Sequence, residues 1–223
     1  MTPIVLMAGG RGQRLHPLTD TRPKPLLNVG GKPILEQIID GFASQGFKKF
    51  WISVGYKADL IEKHFGNGSN KGLKIRYIHE EQPLGTAGAL NLLPVFGVPF
   101  IVCNADILAK VEYGRLMEHH ARSNAQATVC LGLHQYQVPF GVAVFEDERL
   151  VAFREKPIEN IQVNAGIYVL DPTALAHLPE GRSDMTDLLD KLELSAYPIE
   201  GYWTDVGHWE SYARANAEWQ PSV

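Results

Sequence analysis

With 223 residues, 45% of them hydrophobic and 21% charged, the chain has ordinary globular composition and length for one large domain or two small ones. A net charge of −4 argues against a dedicated nucleic-acid surface and leaves room for a local basic site for phosphates. Cys103 and Cys130 lie far apart in apolar runs and read as buried thiols of a reducing compartment, and no apolar run approaches the roughly 20 residues of a membrane span.

Met1-Thr-Pro leads directly into a short strand, with no signal peptide, so a soluble cytoplasmic protein is expected. The strand, Pro3 to Ala8, runs into a loop with glycines at 9, 10 and 12, among which sit Arg11 and Arg14, with Lys24 further on. Glycines let a backbone approach a ligand closely, and successive N–H groups make a nest for anions. Arg and Lys add charge-assisted bonds to phosphate oxygens. The loop therefore reads as a polyphosphate cradle, or else as a tight connection and nothing more. It is neither a dinucleotide fingerprint nor a P-loop: position 15 is Leu, Pro17 stands where a helix should run, and Gly-Lys-Ser/Thr is missing.

Residues 33 to 46 predict a helix, 50 to 54 a buried strand, 57 to 65 a short helix and 74 to 79 an alternating strand. Thr86 to Leu93 predicts another helix and Pro99 to Cys103 a fourth strand. Such alternation implies a mostly parallel sheet, covered on both faces, with ligands at the carboxyl ends of its strands. From about 125, strands are expected at 127–133, 141–145, 150–153 and 162–170, with a hairpin-like turn at 146–149. These should extend the sheet with antiparallel pieces and cover one end of the cleft. Helices are expected at 184–192 and 208–219, and fraying from Gln220 onward. The reading is one domain over 1–223, with lobes of about 1–124 and 125–223.

Asn104-Ala-Asp106 follows a wholly apolar strand. A carboxylate there, facing a phosphate loop, suits Mg²⁺, a hard ion that prefers oxygen ligands; the alternative is an Asp that caps the next turn. Asp205 reads equally as a helix N-cap, Glu155-Lys156 as a surface ion pair, and Gln82 to Gly85 as a turn into a helix. Gly141, after Phe140, offers bare backbone. The eight histidines form no metal pattern and read as solvent or packing residues; Ser69, Ser183 and Ser195 lack a partnered base in sequence.

Gly9-Gly-x-Gly-x-Arg14-Leu-x-Pro17-Leu-Thr19, then Pro23-Lys24-Pro25-Leu, resembles the signature of the sugar-1-phosphate nucleotidyltransferases, and further segments recur in family order. The resemblance implies a Rossmann-like, mostly parallel mixed sheet flanked by helices, of the nucleotide-diphospho-sugar transferase type. No C-terminal β-helix is expected. It implies a nucleoside triphosphate and a sugar 1-phosphate as partners, Mg²⁺ as cofactor, and neither nucleic acid nor membrane. Ala8, Gly9, Gly10 and Gly12 would bind the nucleotide's phosphates, with Arg14 on the leaving pyrophosphate and Lys24 bridging the α-phosphate and the incoming phosphate. Gln82, Gly85 and Thr86 match the base-binding segment, whose form Glu-x-Pro-Leu-Gly-Thr-Ala-Gly is similar to that of guanylyl enzymes, so GTP comes before UTP. Asp106 and Asp205 match the metal ligands, although Ala105 replaces the commoner Gly before the first. Gly141, Glu155, Lys156 and Asn164 match the sugar-phosphate motifs. Two rivals are a metal-dependent glycosyltransferase, which needs neither Arg14 nor Lys24, and a non-catalytic sugar-nucleotide sensor, which predicts a broken motif. The sugar and the oligomeric state stay open.

Overall fold

The computed structural model describes residues 2–220. The fraying expected beyond Gln220 falls outside the described residues. In chain order the strands are β1 (Pro3–Met7), β2 (Asn28–Val29), β3 (Lys32–Pro33), β4 (Lys49–Val54), β5 (Lys74–His79), β6 (Phe100–Asn104), β7 (Ile107–Ala109), β8 (Ala127–Gln137), β9 (Gly141–Glu146), β10 (Arg149–Glu155), β11 (Ile158–Leu170), β12 (Leu194–Pro198) and β13 (Trp203–Asp205). The helices are α1 (Leu18–Thr21), α2 (Ile34–Ser44), α3 (Ala58–Phe65), α4 (Tyr113–Ser123), α5 (Met185–Leu189) and α6 (Trp209–Glu218).

Seven strands form one sheet in the order β12-β8-β11-β6-β1-β4-β5. β5, β4, β1 and β6 are mutually parallel; β11 runs antiparallel to both β6 and β8, and β12 is parallel to β8. The chain winds from β1 outward through β4 to β5, then returns to the other side of β1 at β6. That reversal opens a crevice beyond the carboxyl ends of β1 and β6, where ligands of such sheets bind.

Alternation along the strands sends side chains to two cores. Ile4, Leu6, Ile101 and Cys103 face the layer of α2, α3, α4 and α6, whereas Val5, Phe100 and Val102 face Leu90, Phe96 and α5. Both cysteines are buried and free, and burial pushes the Cys130 thiol up to about 12. Phe42 of α2 is fully buried and stacks on Tyr113, with ring centroids 3.8 Å apart.

Three expectations change. The helix expected at 86–93 is only a 3₁₀ turn, Gly88–Leu92. The N–H groups of Ala87 and Gly88 both donate to Ser183 O, at 2.9 and 3.1 Å, so this segment is tied to a distant loop instead of to itself. The strands expected at 141–145 and 150–153 do not join the main sheet but form their own two-stranded hairpin, β9–β10. β7, β12 and β13 appear where no strand was expected, because they exist only through long-range pairing.

Phe42→Ala should cost about 3–5 kcal/mol and lower the thermal midpoint by roughly 10 °C, as followed by circular dichroism. An unchanged midpoint would show that the Phe42–Tyr113 stack does not hold α2 to α4.

Candidate active site

The loop after β1 is shaped by its neighbours on both sides. The Ala8 N–H donates to Ser53 O at 3.0 Å, which removes it from the set of amides offered to a ligand. The N–H groups of residues 9 to 12 donate to no acceptor among the described residues. Gly12 takes the left-handed conformation at φ 66°, and its carbonyl accepts from Leu15 N and Thr19 Oγ1, at 3.0 and 3.1 Å. A Cβ at Gly12 would lie 2.9 Å from the Cβ of Lys24, so the glycine lets the lysine pass beneath the loop. Four successive amides without an acceptor among the described residues, beside a buried lysine, are an arrangement that suits an anion.

Lys24 is buried, and its Nζ bonds to Asp106 Oδ2 with Asp205 Oδ1 at 3.9 Å. The two carboxylates are 99 positions apart, and backbone pairing brings them together. β7 and β13 run antiparallel with Asp205 opposite Ile107, and Val206 N donates to Asp106 O at 2.9 Å. β13 is held in turn by Trp203, whose Nε1 donates to Ala165 O at 2.9 Å while its ring fills the space over Gly132, 2.5 Å from where a Cβ would be. Asp205 therefore ends a strand and caps no helix; His208 takes the N-cap of α6.

Asp205 Oδ1 is buried without a hydrogen-bond partner. Burial, then the neighbouring Asp106 carboxylate, raises the Asp205 carboxyl above its ordinary value, against the pull of Lys24, Arg14 and His208. Two carboxylates with an unsatisfied oxygen, in a crevice beside the glycine loop, suit a hard divalent cation, which prefers oxygen ligands.

Arg14 reaches the same crevice: its Nη1 donates to His208 Nε2 at 2.7 Å. Arg is a donor only, so the imidazole accepts here. His208 thus belongs to the site's edge, where the sequence reading left it among packing residues. Glu80 was passed over as well. Its carboxylate accepts from Ser53 Oγ and from Leu84 N–H, the latter at 3.2 Å, and fills the space a Cβ on Gly9 would need. Glu80 thereby ties the glycine loop to the segment that follows β5. Its place beside a glycine loop has no local signal in sequence.

The other candidates stand further off. Gln82 is exposed, with no side-chain hydrogen bond among the described residues, and Gly10 borders open space. Gly85, at φ 79°, would put a Cβ 2.5 Å from Ser183 O. The Thr86 hydroxyl accepts from Met185 N at 2.7 Å, so the side chain locks 84–88 onto the start of α5. Asn164 Oδ1 accepts from Gly166 N at 3.0 Å, in an irregularity of β11 that abuts Asn104 at the end of β6. Gly141 and Glu155 face each other across β9 and β10, and exposed Lys156 follows at φ 43°. Among the described residues no hydrogen bond or ion pair joins Glu155 or Lys156 to the Lys24 cluster. The structure does give Ser195 a partner, His119 Nε2 at 2.9 Å, but no carboxylate orients that imidazole among the described residues.

The raised Asp205 carboxyl has a consequence for stability. A group whose folded pKa exceeds its unfolded one opposes folding once pH rises above the folded value. Asp205→Asn in chelator-treated buffer should therefore melt higher than the parent chain at pH 7, with the gain shrinking as pH falls into the carboxyl range. Thermal melts at the two pH values decide; an equal or lower midpoint at pH 7 would contradict the electrostatic account.

Comparison with known proteins gives the family and the fold. The profile of the family described as nucleotidyl transferase matches residues 3–221. A mannose-1-phosphate guanylyltransferase of Mycobacterium tuberculosis is 33% identical over 96% of this chain and 63% of its own length. The chain spans about 60% of the length of such curated relatives. The crystal structure of HddC from Yersinia pseudotuberculosis superposes with a TM-score of 0.78 at 25% identity, covering 99% of this chain and all of that one. A structure of HddC complexed with GMP-PN gives 0.76 at 24%, which speaks to the fold. With the glycine nest, Lys24 and the two converging carboxylates at one crevice, and the profile matched over nearly its whole length, the chain belongs to the nucleotidyl transferase family.

Proposed function

We propose that the chain transfers a nucleotidyl group from a nucleoside triphosphate to a sugar 1-phosphate, giving a nucleotide sugar and pyrophosphate. The observation that carries this reading is the convergence of Lys24, Asp106 and Asp205 beside four loop amides that have no acceptor among the described residues. A sugar-phosphate oxygen attacks the α-phosphorus in line, and pyrophosphate leaves from the opposite side. The amides of Gly9 to Gly12 and the Arg14 guanidinium hold the leaving pyrophosphate. The Lys24 ammonium exchanges its bond to Asp106 for the α-phosphate and the incoming phosphate. Asp106 and Asp205 would hold Mg²⁺, which when bound offsets the charge that builds on the α-phosphate. Glu155, Lys156, Gly141 and Asn164 receive the sugar phosphate from the second-lobe side. The work is positioning and charge stabilisation, with no covalent intermediate, because the nucleophile is already anionic.

The relatives' names make GTP with mannose 1-phosphate the first pair to test. Glu80 gives GTP a physical argument. An ionised carboxylate offers about four acceptor positions, and Ser53 and Leu84 use two of them. Guanine presents adjacent N1–H and N2–H donors, which suit a carboxylate; uracil presents one N–H between two carbonyls, which suits an amide. Exposed Gln82 can supplement that contact from the solvent side.

Pyrophosphate release measured with Mg²⁺ over a grid of triphosphates and sugar 1-phosphates tests the reaction, and folded protein that binds no triphosphate would overturn it. Arg14→Ala should lower turnover by about 10²–10³-fold with the fold intact by circular dichroism, and near-normal turnover would remove Arg14 from the mechanism. Glu80→Gln should lower kcat/KM for GTP by at least about tenfold relative to UTP. An unchanged ratio would move base selection elsewhere.

A further inference from the structure

Among the described residues the Arg14 side chain has one hydrogen-bond partner, the Nε2 of His208, 194 positions away in sequence. The rest of the guanidinium fork has no acceptor there. His208 is the N-cap of α6, a position where Ser, Thr, Asp and Asn are preferred. Other groups fix the helix start. The His208 N–H donates to Ser211 Oγ at 3.1 Å, and the Tyr212 N–H to His208 O at 2.8 Å. Trp209 Nε1 donates to His16 O at 3.2 Å, so two neighbouring residues grip the chain on either side of Leu15. Further along, Tyr212 Oη donates to Asn28 O at 2.8 Å and the Gly30 N–H to Asn216 Oδ1 at 3.2 Å. Within α6 only Ala215 is buried, so these polar ties, more than an apolar face, hold the helix to the first segment of the chain. Just before it, a Cβ at Gly207 would lie 2.9 Å from Asp205 Oδ1. One short run, 205–209, therefore presents a site carboxylate, the imidazole on Arg14 and the indole on His16.

We propose that His208 is the positioning residue for Arg14: its imidazole holds one edge of the guanidinium so that the remaining N–H groups meet the pyrophosphate as it leaves. This rests on the transfer reaction proposed above. A loose arginine has many rotamers to lose, and a donor that is already fixed stabilises developing charge without first being ordered. The choice of acceptor matters as well. The charge of Arg14 reaches the Asp205 carboxyl and lowers it, yet its bond goes to an imidazole that accepts and is therefore neutral. A carboxylate partner would make a stronger, charge-assisted bond and compete with phosphate for the guanidinium. A neutral acceptor orients the arginine and leaves its charge for the ligand.

Calorimetric titration of inorganic pyrophosphate in Mg²⁺ buffer tests this on the parent chain, Arg14→Ala, His208→Ser, His208→Gln and the Arg14→Ala/His208→Ser pair. Serine keeps a good N-cap but is too short to reach Arg14, whereas the glutamine side-chain carbonyl can accept from it. His208→Ser should weaken pyrophosphate binding by about tenfold, and His208→Gln should stay within about twofold of the parent. Once Arg14 is absent, His208→Ser should cost nothing further; a role in helix packing alone would give an additive loss that glutamine does not restore. Parent-like binding by His208→Ser overturns the proposal, as does an equal further loss on the Arg14→Ala background, or a parent that binds no pyrophosphate. Should His208→Ser misfold by circular dichroism, His208→Asn, a second capping residue of short reach, takes its place. Turnover is read separately. A parent that shows this coupling and transfers no nucleotidyl group would sink the reaction and leave the pairing of Arg14 with His208 standing.

Discussion

One buried ammonium, that of Lys24, organises the crevice. It reaches two carboxylates that would otherwise repel each other at close range, and it passes close under Gly12, where a Cβ would lie 2.9 Å from its own. The arrangement is not optimised for stability. Asp205 keeps an unsatisfied oxygen and a carboxyl raised by burial and by Asp106. Sites built to receive charged ligands commonly carry a cost of this kind.

Around that cluster the architecture is a set of ties between distant segments. β7 and β13 make a sheet of three residues per strand, yet they decide where both carboxylates point. Trp203 pins β13 to the irregular stretch of β11, which places Asn164 beside the end of β6. Glu80 joins the glycine loop to the segment after β5, and Ser183 and Asp184 hold that segment from the far side. Each tie is one or two hydrogen bonds, worth about 1 kcal/mol apiece. They keep the glycine loop, the segment after β5 and the irregular stretch of β11 in fixed relation.

The second half of the chain divides its tasks. β8, β11 and β12 complete the main sheet, whereas the β9–β10 arm leaves it. The arm carries Gly141 and Glu155 at its base and exposed apolar side chains further out.

By itself the sequence determined whatever local chemistry encodes. The glycine loop, Arg14 and Lys24 were legible because backbone freedom and charge lie within a few residues of one another. The parallel half of the sheet was legible because apolar strands alternate with amphipathic helices at their own periods. Asp106 could be placed at a strand's end, but its alliance with Asp205 came only through resemblance, since no rule of spacing links positions 99 apart. The tertiary structure alone decided the pairing of β7 with β13, the 3₁₀ turn in place of a helix at 88–92, the approach of His208 to Arg14, the place of Glu80 and the departure of the hairpin from the sheet. Each of these is set by partners far away in the chain. Three-residue strands and single side-chain contacts have too little intrinsic preference to form without the packing that surrounds them.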